Sequence, residues 1–294
     1  MRSLKQNRAA SFVVIAFIYV LAAAVGIAVY DLLAFDWWLK LLAADMAATV
    51  ITFAFSVFFG NASVYDPYWS VQPIVILVAF AAGRELTLLR ILLLAVVLLW
   101  GVRLTANWAY TFKGLDHQDW RYTMLKEKTG VFYPLVNFVG IHTVPTLIVY
   151  GCTLPAVHAF LHDGALNIVS VVFFGLSAAA VIMQGAADCQ MHRFRRNRNG
   201  VFMREGLWKY SRHPNYLGEI LMWWGVALSV VSVFPDAWYL GIGALANTVL
   251  FLAVSIPLAD GRQALKPGFE EYKRQTNMLL PVKKQWGLSQ SQER

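Results

Sequence analysis

Long apolar runs alternate with short polar segments along almost the whole chain. A transmembrane helix needs about 20 mostly apolar residues. Two shorter apolar runs, 69–82 and 216–233, are near that limit and bring the predicted number of spans to seven or eight. The pattern therefore predicts an all-α fold, a polytopic membrane helical bundle. The six runs long enough to span a bilayer are 11–30, 37–60, 85–111, 132–158, 166–190 and 237–259.

Composition indicates a single membrane-embedded domain that covers residues 1–294. Hydrophobic residues make up 58% of the chain and charged residues 14%, against roughly 45–50% and 25% in soluble domains. The runs leave no room for a separate soluble domain of roughly 100 residues. The apolar run 9–30 exceeds the ~7–15 residues of a secretory signal core, so we expect a retained first span.

The net charge of +8 is carried mainly by short loops and by the two ends. Cytoplasmic loops of membrane proteins are rich in Lys and Arg, so this charge does not indicate nucleic-acid binding. The rule places the N-terminus and the basic loop 192–213 on the cytoplasmic side. We expect an integral protein of the bacterial inner membrane, or of the endoplasmic reticulum in a eukaryote. The polar stretch 112–131 is predicted to be a loop whose Trp120 and Tyr122 anchor at the membrane boundary.

The stretch 184–219 carries the strongest chemical pattern. Arginines suit phosphate groups, and Asp188, Asn215 and Glu219 can hydrogen-bond ribose hydroxyls or a carboxamide. A loop that only contacts lipid phosphates is the simpler alternative, but it leaves unexplained why Glu219 would enter the membrane, where ionisable groups are costly. The pattern predicts a dinucleotide site without a Rossmann GxGxxG motif. The arginines are Arg193, Arg195, Arg196 and Arg198.

A second polar segment lies between two apolar runs at 61–73. A carboxylate at Asp66 beside Tyr65 and Tyr68 could orient a phenol that donates a hydrogen bond to a substrate carbonyl. A tight turn at Asp66-Pro67 is the alternative.

Two further polar pairs are candidates for the same site. Arg103 and Asn107 are one helical turn apart and share a face, and Lys113 follows two turns later if the helix continues. An arginine at this depth should face a cavity or partner and not lipid. Near the C-terminus, Asp260 and Arg262 could close over a cofactor or form a simple ion pair.

Five motifs together resemble the steroid 5α-reductase superfamily, and more closely its bacterial branch of small multi-span proteins. The resemblance covers most of the chain from about Asp66 onward. The motifs are D-P-Y-W at 66–69, G-x-R-L-x-x-N-W at 101–108, K-G-L-D-H-x-D-W-R-Y at 113–122, the block 184–219 ending G-L-W-x-Y-S-R-H-P-N-Y-x-G-E, and the tail D-x-R…Y-K…P.

The resemblance implies NADPH-dependent reduction of the carbon–carbon double bond of an enone lipid, in particular the 4,5 double bond of a 3-oxo-4-ene steroid. It places Asn215 and Glu219 at the nicotinamide and Asp188 and Arg195 at the ribose and phosphates, with the cofactor pocket facing the cytoplasm. It makes Asp66 the acid that holds the ketone, with Tyr65 or Tyr68 as its phenol partner and Glu219 as a further catalytic candidate. The remaining cofactor-binding candidates are Arg103, Asn107, Lys113, Asn197, Tyr210, Arg212, His213, Tyr216, Asp260 and Arg262.

Two alternatives remain open. Membrane methyltransferases of isoprenyl or lipid substrates share the R-H-P-x-Y element at 212–216 and would use S-adenosylmethionine. A non-catalytic lipid-binding or scaffold protein would leave the polar segments facing unrelated directions. We expect a monomer that contacts membrane lipid and has no metal site.

Overall fold

The computed structural model describes residues 5–197 and 201–282, and these residues fold into helices without a β-strand. Six of the helical segments are long and apolar enough to cross a membrane, and each matches one of the six long apolar runs. The predicted all-α membrane fold is confirmed. These segments are Arg8–Leu32, Trp37–Phe59, Leu88–Thr111, Trp120–Leu161, Ile168–Asn197 and Pro235–Ala264.

The chain divides into two compact units, each built from more than one segment. The first contains the residues up to Asn167 together with Val230–Gly243, and the second contains Ile168–Ser229 together with the residues from Ala244 onward. The single domain expected from composition stays a prediction.

The first unit begins with α1 (Arg8–Leu32), α2 (Trp37–Phe59), α3 (Tyr68–Ala81) and α4 (Leu88–Thr111). α1 packs along α2, and α3 packs against α4. The contact of α3 with α4 depends on Gly101, because a Cβ there would lie 2.7 Å from the Ser70 carbonyl oxygen. Beside it, the hydroxyls of Ser70 and Thr105 are 2.8 Å apart. Close backbone approach and hydroxyl contacts are the usual means of joining helices in a membrane.

The polar stretch 112–131 differs from the expected loop. Its second half forms helix α5 (Trp120–Thr129), which leads through α6 (Tyr133–Val136) and a π-helical turn at Asn137–Thr143 into α7 (Val144–Leu161). Asp119 starts α5 by accepting a hydrogen bond from the Arg121 backbone N–H, as N-cap residues do. The span predicted at 132–158 therefore belongs to a longer helical segment.

In the second unit, α8 (Ile168–Asn197) packs tightly against α9 (Pro214–Val231). A Cβ at Gly225 would lie 2.1 Å from Ser177 Oγ, and one at Gly218 would lie 2.9 Å from the Ala180 carbonyl oxygen. Ser177 Oγ also donates to the Met222 carbonyl oxygen at 3.0 Å. This contact fixes the register between the two helices. The unit continues with α10 (Ile242–Leu250), a π-helical turn at Phe251–Ser255, α11 (Ile256–Ala264) and α12 (Phe269–Gln275).

The two short apolar runs are both helical. α3 has 14 residues, or about 21 Å at 1.5 Å per residue, which is less than the ~30 Å of a bilayer core. α9 has 18 residues. The total of seven or eight spans stays a prediction.

Candidate active site

A buried carboxylate in the middle of α2 forms the polar centre of the first unit. Tyr68 Oη donates to Asp45 Oδ1 at 2.6 Å, and Gln72 Nε2 donates to Asp45 Oδ2 at 2.7 Å. The three residues are at most 6% exposed. Tyr68 and Gln72 are one turn apart on α3, so both side chains reach the same carboxylate. A charge at this depth is tolerated only with such partners.

The cluster lines a cavity of about 440 Å³ between α1, α2 and α3. The cavity wall is mostly apolar, and small side chains leave it open where the helices face each other. Few polar groups in an apolar pocket are the usual make-up of a small-molecule site. The volume lies within the ~300–1,000 Å³ of typical ligand pockets. The small residues include Ala22, Gly26, Ala44, Ala48 and Ala79.

The acid and the phenol can act on a carbonyl group bound in this cavity. A phenol has one O–H, so Tyr68 can donate to a ketone oxygen when Asp45 is protonated and donates to Tyr68 Oη. The phenol then stabilises the negative charge that develops on the ketone oxygen. Sequence reasoning missed Asp45 because its neighbours are apolar. The available signal was that Asp45 is the one acidic residue between Trp37 and Phe59, since an ionisable residue inside a span usually has a function.

The two tyrosines expected to partner Asp66 contact other groups. Tyr68 pairs with Asp45, and the Tyr65 hydroxyl is 2.7 Å from Thr146 Oγ1. The rings of Tyr65 and Tyr68 stack with centroids 5.0 Å apart. Tyr65 thus supports Tyr68 by packing, while its own hydroxyl is used in a contact with α7.

Asp66 forms a second acid–phenol pair, but with Tyr122. Tyr122 Oη donates to Asp66 Oδ1 at 2.6 Å, so the expected pairing of Asp66 with Tyr65 or Tyr68 is wrong. Burial raises the pKa of Asp66 to about 6, although nearby Arg121 and the Tyr122 hydrogen bond act in the opposite direction. Asp66 does not line the cavity; its catalytic role stays a prediction.

The polar residues of α4 share one face as predicted, but the helix ends before Lys113. Arg103 and Asn107 are both half-buried. α4 ends at Thr111, and Phe112 is extended. Gly114 follows with φ +146°, where a Cβ would lie 2.7 Å from the Lys5 carbonyl oxygen. Lys113 therefore belongs to a loop and does not continue the Arg103–Asn107 face. Cofactor binding by these three residues stays a prediction.

In the second unit, Glu219 is buried at the contact of α8 with α9. Gln184 Nε2 donates to Glu219 Oε2 at 2.9 Å, and Trp223 Nε1 donates to Glu219 Oε1 at 3.3 Å. One turn earlier on α9, Asn215 Oδ1 is buried and has no hydrogen-bond partner among the described residues. A buried amide oxygen without a donor can accept a hydrogen bond from the N–H of a ligand. The carboxamide of a nicotinamide would provide such an N–H.

Three cations gather near the end of α8. The pKa of Lys266 is lowered by burial and then by the charges of Arg262 and Arg195. Asp188, which is half-buried, and Arg195 are seven residues apart on α8 and lie on nearly the same face. Three positive charges held close together repel one another, and a bound anion such as a phosphate would offset that repulsion. Sequence reasoning named Arg195 and Arg262 but missed Lys266.

Asp260 ties the start of α9 to the C-terminal helices. Its Oδ2 pairs with Arg212 Nη2 at 3.0 Å, and its Oδ1 lies 2.9 Å from His213 Nε2. Arg212 Nη1 also donates to the Thr276 carbonyl oxygen at 2.6 Å. The ion pair considered for Asp260 with Arg262 is replaced by one with Arg212. Because these polar atoms are engaged inside the fold, the residues position α9, and cofactor contact by them stays a prediction.

The remaining candidates lie at the edge of this region. Tyr216 stacks on His213 with ring centroids 5.2 Å apart. Tyr210 is 42% exposed, and Asn197 is exposed at the last residue of α8. Arg198 lies outside the described residues. The structure thus brings Asp188, Asn215 and Glu219 to the paired helices α8 and α9 within one unit.

Buried acid–phenol pairs thus lie in a helical protein with six segments, among the described residues, that are long and apolar enough to cross a membrane. Residues 52–276 match the family described as protein of unknown function DUF1295, and the chain belongs to that family. The family is associated with the steroid 5α-reductase superfamily. An uncharacterized protein of Schizosaccharomyces pombe is 25% identical over 197 residues, which is 57% of each chain. The chain therefore spans little more than half the length of that relative. No solved structure matches the chain.

Proposed function

We propose that the protein is an NADPH-dependent reductase of the carbon–carbon double bond of an enone lipid, in particular the 4,5 double bond of a 3-oxo-4-ene steroid. The observation that carries the proposal is the Asp45–Tyr68 pair at the wall of the apolar cavity. Membership of a family associated with the steroid 5α-reductases supports it. In this proposal the acid of the pair is Asp45.

In this proposal Asp45 is protonated and donates to Tyr68 Oη, and Tyr68 donates its single O–H to the enone oxygen. Tyr65 packs against the Tyr68 ring. Polarising the ketone draws electrons from the double bond and makes the β-carbon electrophilic. NADPH supplies the hydride that the β-carbon accepts. The electron pair of the double bond then takes a proton at the α-carbon, so that enone, NADPH and a proton give the saturated ketone and NADP⁺. The apolar wall excludes water from the reacting atoms.

The second unit has groups that fit NADPH. Asn215 Oδ1, the buried acceptor without a partner among the described residues, can take a carboxamide N–H. Asp188 can accept from a ribose hydroxyl, and the three cations Arg195, Arg262 and Lys266 can hold phosphates. Basic residues in the last turn of a helix also complement its dipole, so binding measurements must separate the two roles.

The test uses the purified full chain in a neutral detergent, with NADPH and progesterone as the enone. Steroid-dependent oxidation of NADPH, with the 4,5-reduced steroid identified by mass spectrometry, is the expected result. S-adenosylmethionine is added in parallel as the competing cofactor. Methyl transfer to a lipid, with no oxidation of NADPH, would replace the reductase by the methyltransferase.

A further inference from the structure

A buried amide in the second unit takes no part in the site described above. Asn247 of α10 is 0% exposed, and neither its Oδ1 nor its Nδ2 has a hydrogen-bond partner among the described residues. The other side chains of α10 are apolar except for Thr248, so packing alone would favour an apolar residue at this position. Burial without partners is costly for an amide. Asn247 is therefore suited to a ligand that offers both a donor and an acceptor.

Two contacts between α9 and the α10 region locate this amide along the helices. The rings of Tyr216 and Phe251 have centroids 4.9 Å apart, and Trp224 Nε1 donates to Thr248 Oγ1 at 2.9 Å. The two helices therefore run antiparallel. Asn247 lies four residues before Phe251, about 6 Å along the helix. Its side chain is thus placed level with the part of α9 between Tyr216 and Trp224.

The same contacts show which side of α9 the amide is on. Thr248 lies about 100° further round α10 than Asn247, and its bond to Trp224 marks one edge of the helix contact. Asn247 is therefore at the opposite edge, on the side of α9 that carries Glu219 and, one turn earlier, Asn215. The two amides with unpartnered atoms, one on α9 and one on α10, thus lie on the same side of the contact.

The unpartnered atoms of these two amides match the hydrogen-bonding groups of a primary carboxamide. Asn215 Oδ1 and Asn247 Oδ1 are acceptors, and Asn247 Nδ2 is a donor. A primary carboxamide has two N–H donors and one C=O acceptor, so it can satisfy all three atoms at once. The nicotinamide ring of NADPH carries one such group.

We infer that Asn247 binds the carboxamide of the nicotinamide together with Asn215. Side chains from two helices then limit the rotation of the ring and so fix which of its faces meets the enone. This inference rests on the proposed function, because NADPH is taken to be the cofactor. A buried water that contacts the same three atoms is the competing outcome.

Cofactor binding without steroid tests the inference separately from turnover. The probes are NADPH and its 3-acetylpyridine analogue, which keeps the C=O but has a methyl group in place of the NH₂, titrated calorimetrically into the full chain in a neutral detergent. We expect NADPH to bind about tenfold more tightly than the analogue, as buried hydrogen bonds provide. Asn247→Leu should weaken NADPH by a similar factor and the analogue by less, because the analogue offers Asn247 only its C=O.

Folding is followed by the thermal midpoint without cofactor. Asn247→Leu should keep or raise it, because the amide makes no hydrogen bond within the described structure and leucine has a similar size. The matched control is Thr248→Val, the adjacent polar residue at the other edge of the helix contact, which should leave both affinities unchanged.

Equal weakening of NADPH and analogue in Asn247→Leu, or no weakening of either, would overturn the inference and favour the buried water. A loss in Thr248→Val as large as in Asn247→Leu would also overturn it. Absence of NADPH binding to the natural chain would overturn it together with the proposed function. An Asn247-dependent preference for NADPH without steroid reduction would support the inference and refute the enone assignment.

Discussion

Tyr68→Phe removes one hydroxyl group from the proposed active site and leaves the buried ring in place. That hydroxyl is 2.6 Å from Asp45 Oδ1, and Tyr68 is only 4% exposed, so the Phe ring can fill the same space. If the phenol donates to the ketone, its loss removes a donor aimed at the developing oxyanion. Such a loss costs about 3–4 kcal/mol of transition-state stabilisation, or about 10²–10³ in kcat.

The same change also affects the folded state. Asp45 would retain only its hydrogen bond from Gln72. A buried carboxylate that loses a partner destabilises the fold by about 1–3 kcal/mol, so the thermal midpoint in detergent should fall. Asp45→Asn should fold better, because Gln72 can turn its amide and offer the Oε1 that has no partner among the described residues. It should still lose activity, because an amide, unlike a protonated Asp45 carboxyl group, cannot pass a proton through Tyr68 to the enone oxygen.

Steady-state reduction of the steroid, followed by mass spectrometry of the product, measures kcat for each variant. Tyr65→Phe is the matched control, since its ring stacks on Tyr68 while its hydroxyl contacts Thr146. It should keep kcat within about threefold, the scale of an indirect packing effect of ~0.6 kcal/mol. Natural kcat in Tyr68→Phe, or equal losses in both tyrosine variants, would refute the assignment.

Three further predictions concern the other polar groups. Glu219→Gln and Asn215→Ala should abolish turnover while the protein still inserts and elutes as a folded species, and unchanged rates in both would remove them from the site. Arg195→Ala and Lys266→Ala should raise KM for NADPH with little change in kcat, because they weaken binding common to the ground and transition states; a fall in kcat alone would contradict this. Asp66 has a folded-state pKa raised from 3.8 to about 6, so its contribution to stability is full below the lower value and is lost as pH rises to the higher one. The thermal midpoint should therefore fall over this range in the natural chain but less in Asp66→Asn, and equal slopes would contradict the burial of Asp66.

The six spans could be predicted because length and apolarity alone determine whether a segment can cross a membrane. The pairing of acids with phenols could not, because it depends on which helix faces meet. Asp45 is 23 residues from Tyr68 in sequence, and only the packing of α2 beside α3 brings them together. Asp66 is adjacent to Tyr65 in sequence and was therefore the predicted partner of a tyrosine. In the structure Tyr68 contacts Asp45 of α2 and Tyr65 contacts Thr146 of α7.

The second unit also contains side-chain pairings that could not be predicted from the sequence. Sequence motifs selected Arg212 and His213 as cofactor-binding candidates. Their actual partner, Asp260, is 48 residues from Arg212, and the ion pair forms only once the C-terminal helices fold back on α9. Lys266 was overlooked because a lysine after a span is common, and its closeness to Arg195 depends on where α8 and α11 end.

Hydride transfer into an enone is the central claim, and isotope transfer tests it most directly. The full chain is incubated with progesterone and NADPH that carries deuterium at the transferable position of the nicotinamide. The account predicts that deuterium appears on the β-carbon of the 4,5-reduced steroid, and that Tyr68→Phe slows its appearance far more than Tyr65→Phe does. A steroid recovered unlabelled and unreduced, from protein that remains folded, would contradict it.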